Sequence, residues 1–211
     1  MLLGLLSCPD ARRLALLGMG GGSLARAFRA AGRGGRIVGV ECRAAVIEVA
    51  CDWFGLPDDS RFEASCTQSD DFLRSVELRH DLILSDLYLA DGMYPGQAAD
   101  SFLKLCRDRL SDQSVLVINQ WASEFQANRA AFNALSEVFD EQVLHLQVQG
   151  GNIVAFAFRG QLPDWRRDGF FAAAQSLGRR LDIPLQRHAR NLWWQNAQIL
   201  GVGRFRNGCR R

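Results

Sequence analysis

The stretch from Arg13 to Glu41 constrains the fold more than any other part of the chain. Leu14-Ala15-Leu16-Leu17 is an apolar run of strand length, and Gly18-Met19-Gly20-Gly21-Gly22-Ser23 is a glycine turn. An Ala/Arg/Leu run of about three helical turns follows, and then a second apolar run, Ile37-Val38-Gly39-Val40-Glu41, that ends in a carboxylate. Together these segments read as one βαβ unit with a ligand-sized hole at its carboxyl edge. The glycines let the backbone approach a ligand without a Cβ, and the first N–H groups of the helix point into the same space. Glu41 stands where a carboxylate accepts hydrogen bonds from both hydroxyls of a ribose.

Glycine spacing decides which ligand fits. The third glycine of a dinucleotide fingerprint, G-x-G-x-x-G, would fall at position 23, which is Ser23. Gly18, Gly20 and Gly22 instead spell G-x-G-x-G, the pattern of S-adenosylmethionine-type folds, whose ligand carries no pyrophosphate. A Rossmann dehydrogenase and a glycine-rich turn without a ligand stay open as alternatives, and Glu41 at the strand end weighs against the second.

Composition adds limits. A chain of 211 residues, 48% hydrophobic and 23% charged with a net charge of +2, suits one α/β domain with a sizeable core. Lys104 is the sole lysine among 25 basic residues, and arginines alternate with acidic residues, which argues against a nucleic-acid-binding patch. No apolar run approaches the roughly 18 residues of a membrane helix, and Met1-Leu2-Leu3-Gly4-Leu5-Leu6 lacks the basic flank of a signal peptide. The six cysteines, Cys8, Cys42, Cys51, Cys66, Cys106 and Cys209, form no C-x-x-C pair and sit mostly in apolar segments, so a reduced, cytoplasmic protein is expected. Cys42, beside Glu41, is read as structural. His80, His145 and His188 have no metal-ligand spacing, and neither a Ser-His-Asp nor a P-loop signature is present, so no metal is expected.

Beyond Glu41 the alternation continues. Helices are expected over 44–54, 70–76, 98–110 and 124–139, and strands over 61–65, 80–86, 114–119, 142–148 and 152–158, the last two joined through Gly150-Gly151. A loop spans 87–97. The result is a doubly wound α/β fold with a mainly parallel seven-stranded sheet, helices on both faces and one antiparallel strand at the edge. Residues 1–160 are expected to form this domain, and 161–211 a helical extension packed on it. Trp165, Phe170, Phe171, Trp193 and Trp194 in that extension are placed against the body or against a second copy of the chain, because aromatics at helical spacing pack more often than they stack on bases.

Four segments in order, Leu-Leu-Gly-Met-Gly-Gly-Gly-Ser, Val-Gly-Val-Glu, Asp-Leu-Ile-Leu-Ser-Asp-Leu-Tyr and Val-Leu-Val-Ile-Asn-Gln, resemble the spermidine synthase family of aminopropyltransferases, over roughly Arg13 to Arg159. The resemblance implies a class I methyltransferase-like Rossmann fold. It also implies transfer of an aminopropyl group from decarboxylated S-adenosylmethionine to a small-molecule amine in polyamine biosynthesis. Asp86 matches the catalytic aspartate, the base that takes a proton from the attacking amine. Glu41 matches the ribose-binding glutamate, Gln68 and Ser69 the positions of an Asp-Gly pair that reads the adenosyl group, and Tyr88 and Asp91 fall in the substrate-binding loop.

The chain departs from the family pattern at several points. Gly21 stands where the family has an aspartate that holds the aminopropyl ammonium. Gln68 replaces a charged residue with an amide that both donates and accepts hydrogen bonds. Asp91 is displaced by two positions in the loop that follows Asp86, which has the composition of a lid. The chain also starts almost at the first strand, where the family has a small β-rich domain. An S-adenosylmethionine-dependent methyltransferase is therefore kept as the first alternative, although Leu14, Leu16 and Leu17 leave its first strand without the acidic residue that many methyltransferases place there. A non-catalytic, nucleoside-binding relic of the fold is the second alternative.

Overall fold

The structure is a computed structural model that describes residues 1–32, 35–90, 92–121, 125–148 and 150–200; for 125–128 it describes the backbone. The first strand, β1 (Arg13–Leu17), leads through the glycine turn into α2 (Ser23–Ala30), after a short α1 (Gly4–Ser7) that the sequence reading did not anticipate. Strand β2 (Arg36–Glu41), helix α3 (Ala44–Phe54), strand β3 (Phe62–Cys66), helix α4 (Ser69–Ser75) and strand β4 (His80–Ser85) follow. Helix α2 is shorter than expected, with eight residues that bury only Ala25 and Phe28.

The 87–97 segment is more ordered than a plain loop. It forms a two-stranded hairpin, β5 (Tyr88–Leu89) with β6 (Gly92–Met93), and then a 3-10 turn at Pro95–Ala98. Helix α5 (Asp100–Asp108), strand β7 (Leu110–Trp121), helix α6 (Phe125–Val138), strands β8 (Val143–Val148) and β9 (Asn152–Arg159), and helices α7 (Arg167–Leu181) and α8 (Leu185–Gln195) complete the described chain.

The main sheet has seven strands in the order β3-β2-β1-β4-β7-β9-β8. Its first five strands are parallel, and β9 runs antiparallel to both β7 and β8. The antiparallel strand is therefore one place in from the edge, and β8 is the edge strand, contrary to the expectation of an antiparallel edge. The Gly150-Gly151 turn makes the hairpin in either arrangement; the long register of β9 along β7, from Ser114↔Arg159 to Trp121↔Asn152, inserts β9 between its neighbours.

Alternation along the strands divides the core in two. Leu14, Leu16, Leu82, Leu84, Val115 and Val117 face one side, where Phe28 of α2, Phe170 of α7 and Leu192 of α8 cover them. Ala15, Leu17, Ile83, Leu116 and Ile118 face the other, under Leu73 of α4, Phe102 of α5 and Leu135 of α6. The chain changes sides after β3, when it crosses back to lay β4 against β1, so β1 and β4 flank the topological switch point.

Helices α7 and α8 pack on the body, and residues 201–211 of the expected extension lie outside the described residues. Trp165 stacks on Phe170 with ring centroids 4.3 Å apart, and Phe170 and Trp193 belong to the first core. Helix α8 also closes the open edge of β8. The Asn196 side chain accepts from His145 N–H (3.0 Å) and donates to His145 C=O (2.7 Å), and Gln195 accepts from Gln147 N–H (2.8 Å). Two side-chain amides thus satisfy an edge that would otherwise offer itself to another strand. Among the described residues, no helix is long and apolar enough to cross a membrane.

Candidate functional site

The carboxyl ends of β1, β2, β3 and β4 come together because parallel register aligns them: Leu17 lies beside Val40 and Ser85, and Glu41 beside Cys66. Gly18, Gly20 and Gly22 of the turn have positive φ, but their surroundings differ. A Cβ on Gly18 would overlap the carbonyl oxygen of Asp86, and one on Gly22 would overlap Leu56. Only at Gly20 would a Cβ meet nothing within 4 Å. Gly18 and Gly22 are thus needed for packing, and Gly20 is the one with room for a ligand. Gly21 faces the Phe54 ring, 3.5 Å from where its Cβ would be.

Glu41, only 5% exposed, closes the next strand. Its Oε2 accepts from Gly20 N–H at 3.3 Å, and its Oε1 accepts from Arg43 N–H at 3.2 Å and Arg43 Nε at 3.0 Å. These bonds fix the carboxylate at the mouth of the glycine turn. The hydrogen bond to Glu41 also raises the pKa of Arg43 above its ordinary value. Beyond β3, Thr67 N–H donates to Glu41 C=O at 3.2 Å, which sets exposed Gln68 and buried Ser69, at the start of α4, beside the same strand tip.

Asp86 is the residue just past β4. Its N–H donates to Leu17 C=O at 2.8 Å, which ties it to the end of β1. Its Oδ1 accepts from Asn119 Nδ2 at 2.9 Å, and Asn119 Oδ1 accepts in turn from Asn152 Nδ2 at 2.9 Å. Asn152 also reaches the Tyr88 hydroxyl at 3.5 Å. Burial, then the charge of Asp86, raises the Tyr88 pKa, and the Asn152 contact opposes the shift. Gln97, fully buried, anchors the following segment. Its Oε1 accepts from Ser85 Oγ (2.9 Å) and Leu87 N–H (3.4 Å), and its Nε2 donates to Asn119 C=O (3.0 Å).

The residues singled out from sequence therefore fall into two groups. Gly18, Gly20, Gly22, Glu41, Gln68 and Ser69 line the strand tips on the β1–β3 side, and Asp86 and Tyr88 lie on the β4 side. Asp91 lies outside the described residues. Sequence reasoning missed Arg43, Gln97, Asn119 and Asn152. Arg43 lies two residues past Glu41, a local signal; the three amides carry no spacing signal, since Asn119 and Asn152 meet across 33 positions.

A cavity of about 620 Å³ opens on the far side of Asp86. Asp86, Asn119 and Asn152 line it, and Leu24, Val154 and the start of α8 contribute walls, but none of Gly20, Glu41, Gln68 or Ser69 does. Asp86 thus stands between two spaces, the glycine–glutamate crevice and this cavity.

No family model matches the chain. The fold is that of the class I methyltransferases: human methyltransferase-like protein 13, solved in complex with SAH, aligns with a TM-score of 0.74 at 22% identity over 87% of this chain and 91% of its own. A spermidine synthase solved with the transition-state analogue AdoDATO aligns over 95% of this chain and 71% of its own, with a TM-score of 0.71 at 17% identity. In sequence the chain is similar to polyamine aminopropyltransferases. That of Neisseria meningitidis is 26% identical over 190 residues, which are 88% of this chain and 72% of the relative.

Proposed function

We propose that the protein is a spermidine synthase-like aminopropyltransferase that moves an aminopropyl group from decarboxylated S-adenosylmethionine to a small amine. The observation that carries this reading is the position of Asp86, its backbone packed on Gly18 and its carboxylate held by Asn119, at the boundary between the crevice and the cavity. The sequence similarity to polyamine aminopropyltransferases supports it.

In this reading Glu41 accepts hydrogen bonds from the ribose hydroxyls, Gly20 lets the nucleoside pass close to the backbone, and Gln68 with Ser69 meets the adenine. The acceptor amine has a pKa of about 10 and must lose a proton before its lone pair is free. Asp86 takes that proton, oriented by the Asn119–Asn152 chain. The nitrogen attacks the carbon next to the sulfonium, the carbon–sulfur bond breaks toward sulfur, and methylthioadenosine leaves. Tyr88 contributes to the acceptor side. The five described cysteines are free thiols, which supports a reducing, cytoplasmic setting. Incubation with decarboxylated S-adenosylmethionine and a panel of amines should release methylthioadenosine in an amine-dependent way. Release with none of them would overturn the proposal.

One observation favours methyl transfer as a second reading: Gly21 puts no carboxylate in the glycine turn for an aminopropyl ammonium to meet, and Phe54 lies against that position. The two readings separate in a thermal-shift experiment, since a ligand stabilises the state it binds. Stabilisation by methylthioadenosine supports aminopropyl transfer; stabilisation by S-adenosylhomocysteine alone supports methyl transfer.

A further inference from the structure

The backbone on either side of Asp86 is gripped by one side chain. Gln97 lies in the 3-10 turn at Pro95–Ala98 and is fully buried. Its Oε1 accepts from Ser85 Oγ and from Leu87 N–H, so the residues immediately before and after Asp86 converge on a single oxygen. Its Nε2 donates to Asn119 C=O at 3.0 Å, and the Asn119 side chain donates in turn to Asp86 Oδ1 at 2.9 Å. One amide thus ties the strand tip that carries Asp86 to the backbone of the residue that holds its carboxylate.

The strands themselves do not supply this link. The parallel ladder between β4 and β7 ends at Ser85↔Ile118, one residue short of both Asp86 and Asn119. Beyond it the Asp86 N–H turns to Leu17 C=O of β1, on the opposite side from β7. Gln97 continues the β4–β7 connection past the point where the ladder stops. Its own position is fixed close to Leu87, because Tyr94 N–H donates to Leu87 C=O at 3.0 Å and Gln97 N–H to Tyr94 C=O at 3.2 Å. A buried amide is costly unless both of its ends are paired, and here each pairing constrains a neighbour of the same carboxylate. Proton transfer is sensitive to such placement, since a shift of about 1 Å in a reacting group can cost a hundredfold in rate.

We propose that Gln97 is a positioning residue for Asp86, setting the tip of β4 against Asn119 so that the carboxylate keeps the orientation that proton transfer needs. This rests on the transferase reading above. The test measures amine-dependent release of methylthioadenosine, and methylthioadenosine affinity, for the wild-type protein, Gln97→Met, Asp86→Asn and the double variant. Gln97→Met keeps the length of the side chain and removes its hydrogen bonds to Ser85, Leu87 and Asn119. Turnover should fall about ten- to a hundredfold while affinity stays within about threefold. In the Asp86→Asn background the same substitution should cost nothing further, because the group it acts through is gone. Ser85→Ala, which removes one of the bonds to Gln97, should show a smaller loss with the same non-additivity, and serves if Gln97→Met fails to fold. Wild-type turnover in Gln97→Met, a loss that recurs in full in the Asp86→Asn background, or a matching loss of affinity overturns the inference. A wild-type protein that releases no methylthioadenosine with any amine strikes instead at the transferase reading. Positioning is then read from the side-chain amide resonances of Asn119, which Gln97→Met should shift as Asp86→Asn does; unchanged resonances overturn it.

Discussion

Gly18 and Gly20 stand two positions apart in one turn, both with positive φ, yet the structure assigns them different constraints. A side chain at Gly18 would run into the backbone of Asp86, which has no freedom to move because its N–H is bonded to the end of β1. A side chain at Gly20 would enter open space. Gly18→Ala should therefore cost more than about 2 kcal/mol of stability, the left-handed backbone penalty plus the overlap. Gly20→Ala should cost only about 1 kcal/mol and instead weaken nucleoside binding. Urea midpoints and methylthioadenosine affinities of the two variants check this, and a Gly20→Ala protein that bound normally would mean that the ligand does not pass over this loop. The sequence showed that three glycines were required but not which one leaves room, because that depends on Asp86 and Leu56, far along the chain.

Elements were legible where the pattern was local. Helix α3 has the bounds read from its apolar spacing, and β1, β2 and β4 end within a residue of their expected positions, because burial on both faces of a parallel sheet writes a continuous apolar run. The place of β9 between β7 and β8 was not legible, since a hairpin signal names the partner across the turn and says nothing about the strand beyond. Nor was the role of α8 at the sheet edge, which depends on single amides at Gln195 and Asn196. The β8–α6 contact carries a titratable consequence. His145 on β8 lies 4.3 Å, ring to ring, from Phe132 of α6, its buried Nε2 has no hydrogen-bond partner, and burial pushes its pKa down to about 4. Unfolded, the same imidazole titrates near 6.5, so between these values the unfolded chain holds a proton that the folded chain does not. Stability from this site is complete above pH 6.5 and falls as pH drops toward 4, by at most about 3 kcal/mol. Denaturant unfolding of wild type and His145→Gln across pH 7 to 4.5 should show the wild-type protein losing more stability than the variant as pH falls; parallel curves would remove His145 from the cause.

At the scale of the whole molecule, the sheet gathers the candidate site from segments spread over most of the chain. Glu41 and Gly20 close one side of the switch point, Asp86 with Asn119 and Asn152 the other, and α8 walls the space beyond. The carboxylates were legible because they end apolar strands. The amides that orient Asp86, and the cavity made by the tail, were not, because they exist only once the sheet order brings β7, β9 and α8 together. In the proposed function Glu41 binds the nucleoside and Asp86 performs the chemistry. Glu41→Ala removes charge-assisted hydrogen bonds of about 1.5 to 3 kcal/mol each, so methylthioadenosine affinity should fall roughly ten- to a hundredfold or more. Asp86→Asn should keep that affinity within a few-fold while turnover drops by about two to four orders of magnitude. The direct measurement is a calorimetric titration of both variants with methylthioadenosine: weakened binding in Glu41→Ala and near-normal binding in Asp86→Asn is the expected result, and the reverse pattern, or normal binding in both, would contradict it.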